Sequence, residues 1–430
     1  LNSIHPYMGF ILGCYGLLLC GVRSQLKTGV KFGVIAEKVA KTHQSSQYYA
    51  RMKFVVYSNV RCFGPAFASN LQGLKDSFEY GFETGDLNYA GHANLQYIVT
   101  HFFIGTSLHD VFTKLNKYVP RMTSLGLDFD RQFLMPLYQL VYNLRTSPKN
   151  PHVFKGPYFS ESSLEVLRHA ENKMHPFSAY SAKGYLCYIM NEYEEAYNAL
   201  NIADSFLPVM TGLIHHHQHI FIFGLCHLAM SRIEDNKNCA YHLEEAQKAV
   251  TRLEFLSQNA PENFYNKVLL LKAEFSRSDQ KFTRASMLYN QAIAAAEETG
   301  LLHELALSHE LAAEFFMEFG HKQAAAHSFV VARDLYNAWG AKAKATALEK
   351  KHPFLDHDYL LDEISAHELF KMKEQPKKQQ DIDNLTLMRL SQLISRQIDI
   401  NKLPPLLMNI MAVNAGADRG CFLLKQSENF

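Results

Sequence analysis

The chain has 430 residues, 47% hydrophobic and 20% charged, with a net charge of +1. That length allows about two or three domains with ample cores, and the near-neutral balance excludes a nucleic-acid binder working through a broad basic surface. Fourteen prolines and 22 glycines are few for this length, which favours helices over a turn-rich all-β protein.

In chain order, the first element is the apolar run Met8–Val22, MGFILGCYGLLLCGV. It falls short of the roughly 20 residues a spanning helix needs and lacks the basic start of a signal peptide, so it reads as a buried core helix. Helical patterns follow at Ser46–Phe63, Ala66–Thr84, Asn88–Ile104 and Leu108–Leu125, punctuated by Gly64-Pro65, Gly85-Asp86 and Gly105-Thr106. A proline-bearing break, RTSPKNPHVFKGPYFSE, occupies 145–161. No convincing alternating strand precedes residue 420. Cysteines stand at 14, 20, 62, 187, 226, 239 and 421, an odd number without a Cys-x-x-Cys pair. A disulfide framework or zinc cage is disfavoured, and small buried hydrophobes in a reducing interior are expected.

From about residue 180 the sequence repeats itself. Ala196, Leu200 and Ala203 form a small-x3-large-x2-small pattern that returns as Cys239, Leu243 and Ala246, as Ala285, Tyr289 and Ala292, and as Ala325, Phe329 and Ala332. Small residues also precede three of these sets by twelve positions: Gly184, Ala273 and Ala313. Residues three and four apart share a helix face. Small ones let two backbones approach, and the large one fills the groove of the partner helix. Such a hairpin cannot bury its apolar face alone, and stacking on like hairpins supplies the cover. The order Ala313, Phe316, Gly320, Ala325, Phe329, Ala332 resembles the tetratricopeptide pattern, with a period longer than that family's roughly 34 residues and without its early tryptophan. The expected fold class is all-α: degenerate helical repeats or another helical packing over 1–145, then a tetratricopeptide-like helical-hairpin solenoid over 146–352.

A polar, lysine-rich linker follows over 353–384. It reads as a solvated connector, with an acidic partner as the alternative. Leu387, Leu390, Ile394 and Ile398 make a stripe suited to a short coiled-coil-like connector or to a helix packed on a neighbouring domain. Asn401 can cap a helix whose first turn holds Pro404 and Pro405 and whose apolar face carries Leu403, Leu407, Ile410 and Val413. Gly416 is a plausible stop, and Cys421–Leu424 reads as the start of a strand, so 385–430 is expected to be a connector helix and the truncated start of an α/β domain.

Chemistry-bearing motifs are few. The chain has no phosphate-binding glycine loop, no nucleophile elbow and no kinase catalytic-loop signature. HELALSHE (303–310) fails as a zinc motif because Leu307 stands where the second ligand belongs. HHHQH (215–219) sets His215 and His219 four apart on one helix face. That makes a two-point metal clamp feasible, and packed helix histidines are the other reading. The 30 Phe and 22 Tyr lack interleaved arginine and read as core, not as base-stacking platforms. No catalytic, cofactor-binding or metal residue is assigned.

Two stretches resemble a region of large hybrid sensor histidine kinases: 289–353, ending in Trp339-Gly340-Ala341, and 388–424, with Asn414-Ala415-Gly416-Ala417. In that family a serine/threonine-kinase-like domain and an AAA ATPase precede a tetratricopeptide-like region, a GAF domain and a histidine kinase. The resemblance implies an internal fragment running into the start of GAF, with the ATP sites and phosphorylated residues elsewhere in the parent polypeptide. It further implies a regulatory, cytoplasmic, non-catalytic segment without a cofactor of its own. Its partners would be proteins or neighbouring domains, not nucleic acid or membrane, and it would dimerise through the parent kinase. A stand-alone scaffold and a metal-dependent enzyme using His215 and His219 are the alternatives.

Overall fold

The computed structural model describes residues 5–41, 47–233 and 238–355. The chain divides into two compact units, 1–352 and 353–430. Of the second, the described residues are the short turn Pro353–Leu355. The remainder of the 353–384 linker, the 387–398 stripe and the GAF-like start at 401–424 lie outside the described residues.

The described residues are all-α, with seventeen α-helices and one isolated bridge, Lys155 to Ser160. The first seven helices are α1 (Met8–Gly21), α2 (Leu26–Ala40), α3 (Gln47–Phe54), α4 (Leu71–Glu83), α5 (Leu87–Phe103), α6 (Leu108–Ser124) and α7 (Asp128–Thr146). After the short α8 (Ser162–Arg168) come α9 (Met174–Ile189), α10 (Tyr193–Asp204), α11 (Ile214–Ser231), α12 (Cys239–Ser257), α13 (Pro261–Ser278), α14 (Phe282–Thr299), α15 (Leu302–Glu318), α16 (Lys322–Trp339) and α17 (Lys342–Lys351). The helix expected over Ser46–Phe63 is not uniform. After α3 it widens into a π turn, Val55–Val60, and tightens into a 3-10 turn, Arg61–Phe63. Val56 and Val60 there pack on the glycine faces of α1 and α2, at Gly13 and Gly33. The apolar run at Met8–Val22 is buried on that glycine face, but its opposite face is exposed, which corrects the expectation of a core helix.

One turn recurs. Helices end and restart across 84–86, 125–127, 190–192, 279–281 and 319–321, each with its middle residue at positive φ: Gly85, Gly126, Asn191, Gln280 and Gly320. In the last three the residue after it donates its N–H five residues back, from Glu192 to Cys187, Lys281 to Ser276 and His321 to Phe316. This is a Schellman stop, which glycine accommodates without strain and other residues adopt at a cost. The turns at 85 and 126 show that α4–α5 and α6–α7 are hairpins of the same make as α9–α10, α13–α14 and α15–α16, although their sequences carry no visible repeat.

The small residues sit where the helices of a hairpin meet. A Cβ added to Gly184 would lie 2.5 Å from Leu200 Cγ. Ala196, Ala203, Ala246, Ala273, Ala285, Tyr289, Ala292, Ala313, Ala325, Phe329 and Ala332 are all buried. Four residues differ from expectation, of which Cys239 and Leu243 are half-buried at the outer rim of α12. Phe316 is half-buried; its neighbour Phe315 is the fully buried ring, stacked on Phe282 at 5.2 Å. One residue along a helix turns the side chain by about 100°, enough to exchange the inner face for its rim. A Cβ added to Gly320 would meet nothing, and the residue is exposed at φ 79°, so its work is the turn.

The alternate helices α9, α11, α13 and α15 are buried on nearly every side, whereas α10, α12, α14 and α16 bury one stripe. Part of the cover comes from residues 60–140. Phe102 meets Tyr185 and Trp339, Phe63 meets His217, and Phe67 meets Phe264. Backbone groups are satisfied across the same boundary: Trp339 Nε1 donates to Thr106 O at 3.1 Å, and Phe67 N to Asn263 Oδ1 at 2.9 Å. The 145–161 segment is no free linker either, since Gln139 Oε1 accepts from Tyr158 N and Phe159 N, and Asn143 donates to Pro151 O and Val153 O.

Gly184→Val is expected to destabilise the chain by about 1–3 kcal/mol through the clash with Leu200. Gln280→Gly, at φ 55°, is expected to stabilise it by about 1 kcal/mol. Urea unfolding midpoints check both, and shifts of the opposite sign refute the packing and turn assignments.

Candidate functional site

The strongest concentration of titratable side chains at the centre of the fold is α11. It carries His215, His216, His217, His219 and His227, four of them buried and His216 partly so. The apolar faces of α5, α7, α9 and α13 surround it and decide how each ring is held. His215 lies between the edges of Phe103 and Phe133, at 5.7 and 5.2 Å. His217 lies between Phe63 and Phe264, at 5.0 and 5.2 Å, and neither of its nitrogens has a protein partner. His219 Nε2 is 3.2 Å from Asp204 Oδ1. His227 Nδ1 stands 2.8 Å from His242 Nδ1 on α12, so one ring donates and the other accepts.

A cavity of about 40 Å³ opens between α5, α7, α9 and α11, with Phe102, Phe133, Leu137, Tyr185, His215 and Gln218 in its wall. Its apolar walls meet three polar atoms without protein partners, His215 Nδ1, Gln218 Nε2 and His219 Nδ1. Space and polar groups of this kind suit one or a few ordered waters; it is too small for a cofactor.

Burial holds His215, His216, His217 and His227 neutral. It lowers His215 to about 3, and His216 and His227 to about 4, with Arg252 adding to the effect at His216 and His242 at His227. His217 falls well below its ordinary value for the same reason. Elsewhere burial takes His101, His303 and His309 to about 4. The thiols move the other way: burial raises Cys20 and Cys187 to about 12 and Cys62 well above its usual range. Protonated thiols are poor nucleophiles and ligands.

His215 and His219, the two metal candidates, do not share partners: His215 faces rings and His219 faces Asp204. Among the described residues no group of three or more His, Cys, Asp or Glu side chains is arranged to hold a metal ion. The Asp204 contact had a sequence signal. Asp204–His219, His227–His242 and Glu274–Tyr289 each span fifteen residues, one step from a helix to its neighbour.

Polar chemistry of a second kind crosses the interior. Lys267 Nζ reaches Glu304 at 2.7 Å with both groups buried, and Asn266 also donates to that carboxylate. Glu310 accepts from Asn191, Tyr336 and Lys344, and Lys344 also donates to Asn191 Oδ1. Glu274 takes Arg232, Arg277 and Tyr289. Each carboxylate is on an inner helix and is compensated by cations or hydroxyls from other turns or helices. These arrangements neutralise buried charge, and Arg232 and Arg277 of the last one also line, with Ser231, Ser278 and Glu318, a polar cavity of about 380 Å³. No family model matches the chain, and no curated protein matches it.

Neutral buried histidines make the fold acid-sensitive. Below about pH 6.5 the unfolded chain binds protons that the folded rings refuse until about pH 4, so their contribution is complete above 6.5 and is lost as pH falls. The slope is about 1.4 kcal/mol per pH unit for each histidine. Urea midpoints are expected to fall steeply between about pH 6.5 and 4.5, and His217→Phe to raise the midpoint more at about pH 5 than at about pH 7.5. A flat profile refutes the neutral assignment.

Proposed function

We propose that the chain is a regulatory, scaffolding helical-repeat module of the tetratricopeptide-like solenoid type, within a multidomain hybrid sensor histidine kinase. In this role it contributes contacts and conformational bias, not catalysis, and couples an upstream ATPase region to a downstream GAF and kinase region in a cytoplasmic phosphorelay. The observation that carries the reading is the recurring hairpin, with the same left-handed turn in α4–α5, α6–α7, α9–α10, α13–α14 and α15–α16 and buried small residues from α9 to α16. ATP chemistry belongs, on this reading, to other parts of the parent protein.

An open concave surface for peptide partners is not what the inner helices offer, since residues 60–140 lie against them. Partners or neighbouring domains therefore meet outer faces, and a bias applied at one hairpin spreads through the packed interior. A coupling module needs two arrangements with different contacts, and the contacts of Trp339 with Thr106 and Phe102 join its two halves. Among the described residues no helix is long and apolar enough to cross a membrane.

The alternative is a stand-alone interaction scaffold. The reading frame on either side separates the two. An upstream phosphate loop and a downstream helix with a phosphorylated histidine support the kinase role; stop codons at both ends remove it. In the parent protein, Trp339→Phe is expected to keep the fold but lose the bond to Thr106 O. The stimulus dependence of histidine autophosphorylation should then change about two- to tenfold, the range of modest coupling energies. An unchanged response, with the loosening confirmed by amide exchange in α5 and α17, contradicts the coupling role.

A further inference from the structure

The cavity of about 380 Å³ lies where α11, α13 and α15 end and α12 begins. Behind its wall is Glu274 of α13, fully buried. One oxygen of that carboxylate accepts from Arg232 Nη2, at the end of α11, and the other from Arg277 Nη1, at 3.4 Å. Two guanidinium groups are thereby drawn side by side onto a single carboxylate, which like charges avoid without a counter-ion between them. A second counter-ion, Glu318 from the end of α15, accepts from Arg277 Nε at 2.7 Å. Unlike Glu274 it is partly exposed, by 35% of its side chain.

The wall spends its hydrogen bonds unevenly. A guanidinium donates from all three of its nitrogens. Arg232 uses Nη2 on Glu274 and Nη1 on Ser278 Oγ at 3.1 Å, which leaves Nε. Arg277 uses Nε on Glu318 and Nη1 on Glu274, which leaves Nη2. Gln280, in the left-handed turn after α13, reaches Glu318 Oε1 only at 3.5 Å. The capacity left over is donor capacity, on two cations and an amide. Glu318, the one carboxylate among the lining residues, is already held by them. Cys239 and Leu243, from the start of α12, add an apolar portion to the wall.

We propose that this cavity binds a small phosphate monoester, its oxyanion on Arg232 and Arg277 and its organic group along Leu243 and Cys239. Guanidinium groups meet phosphate oxygens through several charge-assisted N–H···O bonds at once. The volume exceeds what a bare phosphate ion fills, and the apolar portion of the wall suits a carbon body. With Glu274 and Glu318 both in place the two arginines are balanced, so the phosphate must displace one carboxylate. Glu274 is enclosed and stays; Glu318 swings from Arg277 into solvent, and phosphate oxygens take its place. A carboxylate ligand is disfavoured because Glu318 already presents that group at high effective concentration. A phosphate monoester carries close to two negative charges and three acceptor oxygens at neutral pH, and so exceeds one carboxylate in both. Binding trades a contact between α13 and α15 for contacts with the ligand. The proposal rests on this cavity alone and is independent of any kinase role.

The test is isothermal titration calorimetry of the whole chain at about pH 7.5, where a phosphate monoester is dianionic, with phenyl phosphate, inorganic phosphate, benzoate and phenol as probes. Phenyl phosphate is expected to bind about tenfold tighter than inorganic phosphate or benzoate, and phenol not to bind, with affinity falling as salt rises. Glu318→Gln removes the competing charge and should tighten phenyl phosphate about three- to tenfold. Ser278→Asp sets a carboxylate beside Arg232 and should abolish binding at unchanged helicity. No binding of phenyl phosphate at millimolar concentration, or binding that neither variant alters, overturns the proposal. Benzoate or phenol binding as tightly as phenyl phosphate also overturns it, and that comparison needs no variant. A phosphoserine peptide binding about tenfold tighter than phenyl phosphate assigns the site to a protein partner and overturns the small-molecule assignment.

Discussion

Close approach of helix backbones is the constraint from which the rest of this structure follows. Where Gly184 meets Leu200, or Gly224 meets Ala249 with 2.7 Å for any added Cβ, neither helix can rotate or slide without collision. Each hairpin is thereby fixed in register, and its inner helix presents a full second face that needs cover. Neighbouring hairpins cover part of it. The rest is taken by α5, α7 and the turns around residues 61–67, which is why a chain built of local units gains contacts between residues about 200 apart in sequence, such as Asn263 with Pro65 O. Repeat arrays with only nearest-neighbour contacts unfold piecemeal. Contacts of this range tie α13 and α16 to the first half and make the unit cooperative.

Buried charge follows from the same geometry. An inner helix covered on all sides leaves its polar positions without water, and an isolated ion there is prohibitive. Glu274, Glu304 and Glu310 are each met by a cation and by a second donor from another turn or helix. Such pairs add little net stability compared with apolar residues of the same volume. They do penalise misregistered stacking, because shifting one hairpin strands a charge. His215 and His217 of α11 meet the same condition differently, by staying neutral among aromatic edges.

Much of this was legible in the sequence, and the illegible part has a physical reason. Helix positions, the hairpin period beyond residue 180 and the small interface residues all show as local periodicity. The repeats before 146 do not, because the turn that defines them needs one left-handed residue, and glycine at 85 and 126 looks the same there as in any loop. The cover of the inner helices by α5 and α7 leaves no periodic trace, since it joins segments at irregular separations, from Phe133 with Ser178 to Phe102 with Trp339. Phe315 and Phe316 are adjacent aromatics of which the pattern cannot choose one. The histidine cluster was visible, but its partners Asp204 and His242 lie fifteen residues away on neighbouring helices.

On the proposed coupling role, a filled interior changes what kind of signal the module could carry. An open array of hairpins bends gradually, each interface yielding a little, as a spring does. Here the inner helices close on residues 60–140, and packed cores are bistable, not continuously deformable. Bending such a unit means breaking the Trp339–Thr106 and Asn263–Phe67 contacts together or not at all. A perturbation at an outer face therefore has two outcomes: it is absorbed locally by side chains, or it tips the whole unit into a second packing. The exposed face of α1 is well placed for the second outcome. The glycine face of α1 rests on Val55 and Val56 through Gly13, and that of α2 rests on Val56 and Val60 through Gly33, and the chain runs directly from that π turn into Phe63 and Phe67, which meet His217 and Phe264. Pressure on α1 is thus transmitted by sterics, through residues with no room to yield, to the helices at the centre of the fold.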